Sequence, residues 1–163
     1  MNWEEACRDS ISVKTLVLRQ KMLTARGETL VGATVKVVGF LVFVETSRPE
    51  DAHSGDMKRR DIPALLVEEG DNHHLMHNLL RRNKYVPEYV IPLENDRYLF
   101  MRLDATLPSE TFLEETNLWA AVPAVVTGLV VASARPDVPF AVQPISTTVR
   151  RPYDKEREFT VTV

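Results

Sequence analysis

Residues 34–44 read TVKVVGFLVFV and residues 121–132 read AVPAVVTGLVVA. These are the two most apolar stretches of the chain, and each is broken near its middle by one glycine, Gly39 and Gly128. Valine and phenylalanine dominate both and helix formers are few, which marks them as strands, the first spanning Gly32 to Thr46. Glycine inside a strand weakens it, having no side chain to pack and more backbone entropy to lose. Two of only 6 glycines in such places call for a geometric cause. Sharp bends supply one, since a strand serving two layers of a small closed sheet turns at a glycine or a bulge.

Around these two runs the sequence supplies further elements. Residues 3–9 suit a short acidic turn. From Ser12 as N-cap, VKTLVLRQKMLTA places Val13, Leu16, Val17, Gln20 and Leu23 near helical spacing, with Gly27 as a stop. Its β-branched content also permits a strand. IPALLVEEG (62–70) reads as a short strand and NHHLMHNLLRRN (72–83) as a helix capped by Asp71. EYVIPL and RYLFMRLDATL flank Asn95–Asp96, a hairpin turn pair. Pro108–Ser109 opens an expected short helix, SETFLEETNLW, and the second glycine-centred strand follows at about 120–133. FAVQPISTTV (140–149) is the next strand; Pro144 cannot donate to a ladder, so the strand is an edge or is bulged there. The tail RRPYDKEREFTVTV is charged and then β-prone, a docking strand or a frayed end.

This order predicts a mainly β protein, a small closed antiparallel barrel with two or three peripheral helices. Residues 1–31 would pack on the barrel, 32–149 would form it, and 150–163 would be a charged tail. A first strand V-x-V-x-G-x-L, a later strand with a matching glycine and a helix between the third and fourth barrel strands resemble the OB-fold superfamily. The resemblance spans about residues 32–149 and lies in strand spacing and two glycines. It implies a ligand face on the second and third barrel strands, flanked by the loops after strands one and four. Carried over by position, it marks Arg48, Lys58, Arg59, Arg60, the Tyr98–Phe100–Arg102 row and Arg135.

Composition narrows the function. The 163 residues suit one domain, and net charge is -3, from 20 bases and 23 acids. Residues 1–80 hold 10 bases and 12 acids and residues 81–163 hold 10 and 11, so neither half is a basic arm. A phosphate-driven duplex binder usually shows a basic excess. The single cysteine, Cys7, excludes an internal disulfide and a cysteine-built zinc site, and points to a reducing, intracellular setting. The start MNWEEACRDS does not read as a signal peptide, and the 15 residues from Ala120 to Ala134 contain Pro123 and are too few to span a bilayer. A soluble protein without membrane contact is expected.

Few residues suggest chemistry. His73 and His77 lie four apart with His74 and Asp71 beside them, yet no H-E-x-x-H pattern forms, and solvated helix histidines are the simpler reading. Cys7 sits among acids, which disfavours a thiolate nucleophile. Glu68–Glu69 and Glu114–Glu115 read as solvated charges, and no nucleophile elbow or phosphate loop occurs. No cofactor is implied. In RYLFMRLD, alternation would put Leu99, Met101 and Leu103 on one face and Tyr98, Phe100 and Arg102 on the other. Exposed, that second row is a stacking-plus-charge surface for single-stranded nucleic acid, with Arg59 and Arg60 on phosphates; packed under a helix, it is ordinary core. The expectation is a non-enzymatic binding module of a nucleic-acid-associated complex. The alternatives are a protein–protein adaptor using helices and tail, and a small metal-dependent enzyme built on His73, His74 and His77.

Overall fold

The computed structural model describes residues 2–43, 64–68, 90–96, 99, 112–113, 118–119, 122–134, 138–150 and 160–162. In chain order the elements are α1 (Trp3–Cys7), β1 (Ile11–Ser12), α2 (Val13–Ala25), β2 (Thr34–Phe43), β3 (Ala64–Val67), β4 (Val90–Leu93), β5 (Phe112–Leu113), β6 (Leu118–Trp119), β7 (Val122–Val131), β8 (Ala141–Arg150) and β9 (Thr160–Thr162). The glycine-centred stretches are β2 and β7, and they pair antiparallel from Thr34↔Leu129 to Leu41↔Val122.

The sheet closes on itself. Pairing runs β2–β3–β4–β8–β7 and returns from β7 to β2, with β1 on β2 and β9 on β8 outside this ring. The expected mainly β, small closed barrel is formed, and one neighbouring pair departs from antiparallel: β4 and β8 run parallel at Leu93↔Val142, and the amide of Glu94 donates to the Val142 carbonyl at 3.0 Å. Parity is the cause. Strand directions cannot alternate around a closed ring of five, so one neighbouring pair must run parallel.

Both glycines stand at breaks in the ladder. One edge of β2 pairs with β1 at Val37 and Val38 and then with β3 from Phe40 to Phe43, so the hand-over occurs at Gly39. A Cβ on Gly39 would lie 2.6 Å from the carbonyl oxygen of Val67 and 3.1 Å from Cγ2 of Val13. In β7 the register against β8 shifts between Thr127 and Gly128, where Thr127 pairs with Ser146 and Gly128 with Pro144. Ile145 is thereby the extra residue of a bulge, next to the proline that cannot donate. Glycine at these points permits close backbone approach, and no left-handed conformation is needed.

The bulge also sets which residues face inward. Val142 before it and Thr147 and Val149 after it oppose Val130, Val126 and Ala124, so an even-numbered face becomes odd-numbered without the strand turning over. The interior holds Val37, Leu41, Ala64, Leu66, Ile91, Leu93, Val122, Ala124, Val126, Val130, Val142 and Val149. Val13, Leu16 and Val17 of α2 join this cluster, as do Leu99 and Phe140.

Helix α2 is bounded as its sequence suggests. The Ser12 hydroxyl accepts from the Thr15 amide, and Gly27 takes φ +74°. The Glu28 amide bonds the Leu23 carbonyl and the Gly27 amide bonds the Thr24 carbonyl, the paired closure of a left-handed C-terminal cap. Gln20, buried on the inner side, donates to Thr24 and Thr29 and accepts from the Leu30 amide at 2.9 Å, fastening the following loop to the helix. The acidic turn expected at 3–9 is a short helix, α1, with a capping box between Asn2 and Glu5.

Two further expectations change, one is met, and two lie outside the described residues. The helix over SETFLEETNLW is not formed at its apolar residues, which pair as a ribbon, Phe112↔Trp119 and Leu113↔Leu118. Two apolar dipeptides separated by the polar EETN match cross-strand pairing, and aromatic residues favour it. Leu99 has helical backbone, with its amide reaching the Asp96 carbonyl at 3.4 Å, and is 1% exposed. A strand folded back at Asn95–Asp96 therefore does not form at Leu99. The tail does dock: β9 lies antiparallel on β8, with the Thr148 and Thr162 hydroxyls 2.9 Å apart. The polar loop 47–61 and the helix over 72–83 lie outside the described residues.

Candidate functional site

The resemblance pointed to the outer face of the second and third barrel strands, β3 and β4. Alternation puts Leu65 and Val67 of β3 and Val90 of β4 on that face, and they are 1%, 0% and 3% exposed. Val42 pairs with Leu65 and is equally buried. At these positions the strands are covered on both faces and present aliphatic side chains, with no aromatic or basic group for a base or a phosphate. By contrast, four of the five outward residues of β7 (Pro123, Thr127, Leu129 and Val131) are partly exposed, while Val125 is buried.

Arg48, Lys58, Arg59, Arg60, Tyr98, Phe100, Arg102 and Arg135 lie outside the described residues, as do His73, His74 and His77. Two described neighbours bear on them. Leu99, between Tyr98 and Phe100, is a core residue. Ala134, before Arg135, donates its amide to Glu94 Oε2 at 3.2 Å, while Ser133 Oγ donates to Glu94 Oε1 at 3.1 Å. The Glu94 carboxylate thus ties the end of β4 to the turn after β7.

Another surface was not singled out by sequence. Leu18 and Met22 of α2 are 47% and 59% exposed, and Val31, just beyond the helix, is also exposed. Leu18 and Met22 are one helical turn apart and so adjacent on the surface. They lie off the inward stripe of Val13, Leu16, Val17 and Gln20. The signal was available, since two large apolar residues fall outside the spacing that defines the buried face. Arg19 and Arg26 are exposed beside them, and α2 carries Lys14, Arg19 and Lys21 with no acidic residue.

Comparison with protein-family models, with curated proteins and with solved structures finds no match for the chain. Among the described residues no group of three or more His, Cys, Asp or Glu side chains is gathered as a metal site would require, and no helix is long and apolar enough to cross a membrane.

Proposed function

We propose that this chain is a non-enzymatic, OB-like binding module that enters a larger assembly through protein contact. Strand order supports the OB-like part. β2, β3 and β4 follow one another antiparallel, β7 returns to lie beside β2, and β8 closes the ring. That is a five-stranded Greek-key barrel, the plan of the OB-fold.

The observation that carries protein contact is the adjacent pair Leu18 and Met22, exposed on a helix whose other side is fully packed. Single exposed apolar residues are ordinary on a protein surface, and Ile145 is accounted for by the bulge. Neighbouring ones on a regular element supply the contiguous apolar surface from which protein contacts are built. The near-neutral charge agrees, because a protein partner needs no basic excess. Single-strand binding through Tyr98, Phe100 and Arg102 is the competing outcome.

Two measurements decide between them. The tagged chain, purified from its own cells, should retain a protein at fixed stoichiometry. A fluorescein-labelled oligothymidine titrated at low salt should give no saturable anisotropy change. Salt-sensitive binding lost in Tyr98→Ala and Arg102→Ala, with no protein retained, would overturn the proposal.

A further inference from the structure

Taking the protein-contact reading as its basis, we infer that the outer face of α2 receives an acidic amphipathic helix of a partner protein. Lys14, Leu18, Met22 and Arg26 follow each other at intervals of four residues, a single i±4 ridge with apolar side chains at its centre and bases at its ends. Such ridges pack into the grooves of a second helix. At 1.5 Å per residue the row spans roughly 18 Å, about three turns of a partner helix.

Charge selects the partner. Lys14, Arg19 and Lys21 are the charged residues of α2, and Arg26 follows at its C-cap. Glu68, whose carboxylate accepts from the Lys14 amide at 2.6 Å, and Glu28, two residues after Arg26, stand at the two ends. The basic excess therefore lies on the body of the helix around Arg19 and Lys21. A partner helix with two apolar residues flanked by carboxylates matches the apolar centre and places charge against Arg19 and Arg26. Complementary potentials of this kind select the partner and speed encounter. The methionine lets the centre adapt to different apolar shapes. A membrane surface fits less well, because interfacial helices bury a broad face rich in Trp, Phe and Leu, and the outer face of α2 offers no aromatic residue.

The probe is a displayed library of helical hairpins randomised on one face. It is selected on the wild-type chain and counter-selected on the Leu18→Ser/Met22→Ser variant. Both residues are exposed, so the variant should melt with the wild type, which is checked first. Enriched hairpins should carry paired apolar residues flanked by Asp or Glu, bind the variant at least tenfold more weakly, and lose affinity with added salt. Arg19→Glu/Arg26→Glu should weaken them similarly. Enrichment of neutral or basic hairpins, hairpins that do not discriminate the variants, or phosphatidylserine vesicles binding through Leu18 and Met22 would each overturn the inference. If the Leu18→Ser/Met22→Ser chain still enters its cellular assembly, protein contact stands and the α2 site falls. If no assembly forms with the wild type, the protein-contact reading itself fails.

Discussion

A methyl group added at Gly128 would stand 2.5 Å from Cγ1 of Val142 and would also press on the Gln143 carbonyl oxygen; at Gly39 it would meet the Val67 carbonyl oxygen at 2.6 Å. Carbonyl oxygens held in a ladder have little room to retreat, so even alanine should destabilise the barrel by about 2 kcal/mol at either site, and valine by more. Urea melts of Gly39→Ala and Gly128→Ala check this; wild-type midpoints would remove the close-approach explanation. Gly27 acts differently, through its φ of +74°, with nothing near its missing Cβ. Gly27→Ala should therefore cost about 1 kcal/mol by the same assay, from backbone strain alone. Thr147 is 1% exposed and its Oγ1 has no hydrogen-bond partner among the described residues. Replacing a buried orphan hydroxyl with a methyl removes a desolvation cost, so Thr147→Val should raise stability by about 1 kcal/mol. The special status of Gly39 and Gly128 is legible in the sequence, because each interrupts an otherwise continuous apolar run. What each glycine touches is not, since Val67 and Gln143 come from other strands.

At the scale of elements, the bulge at Ile145 divides β8 into two halves whose inward residues have opposite parity. Ile145 is 67% exposed, so Ile145→Ser should melt within about 0.5 kcal/mol of wild type. Deleting Ile145 should remove the bulge and leave Val142, Thr147 and Val149 all inward on a regular ladder, so its cost should be that of the lost bend, about 1–2 kcal/mol; circular dichroism melts of the two variants measure the contrast. Pro144 announces this bulge in the sequence by its missing donor. Ser12 and Gly27 likewise announce the ends of α2. The ribbon at Phe112–Leu113 and Leu118–Trp119 is not announced. Short apolar dipeptides in a polar stretch satisfy helix and strand spacing equally well, and pairing between them decides. Leu99 shows the same ambiguity, since apolar alternation in RYLFMRLD looks like a strand while Leu99 itself has helical backbone, its amide directed to the Asp96 carbonyl.

For the whole molecule, the two best strands predict closure, and the odd number of strands in the ring dictates a parallel pair that no local pattern reveals. The candidate surface divides in the same way. A near-neutral composition leaves protein contact open, and the apolar residues off the inward stripe of α2 are visible in the sequence. Their exposure depends on which helix face the barrel covers, and that is tertiary information. The burial of Leu65, Val67 and Val90 on the outside of β3 and β4 is equally illegible, because a strand apolar on both faces does not say what lies over it. All of this stands on closure of the sheet between β4 and β8, where Leu93 pairs with Val142 and the Glu94 amide reaches the Val142 carbonyl. The direct test is a backbone NMR experiment on the full chain. Proton–proton contacts between Leu93–Glu94 and Val142–Gln143, with slow exchange of the Glu94 amide, are the predicted result. A fast-exchanging Glu94 amide without those contacts, in a protein that retains the Leu41–Val122 and Val67–Val90 pairings, would mean an open sheet and contradict the barrel.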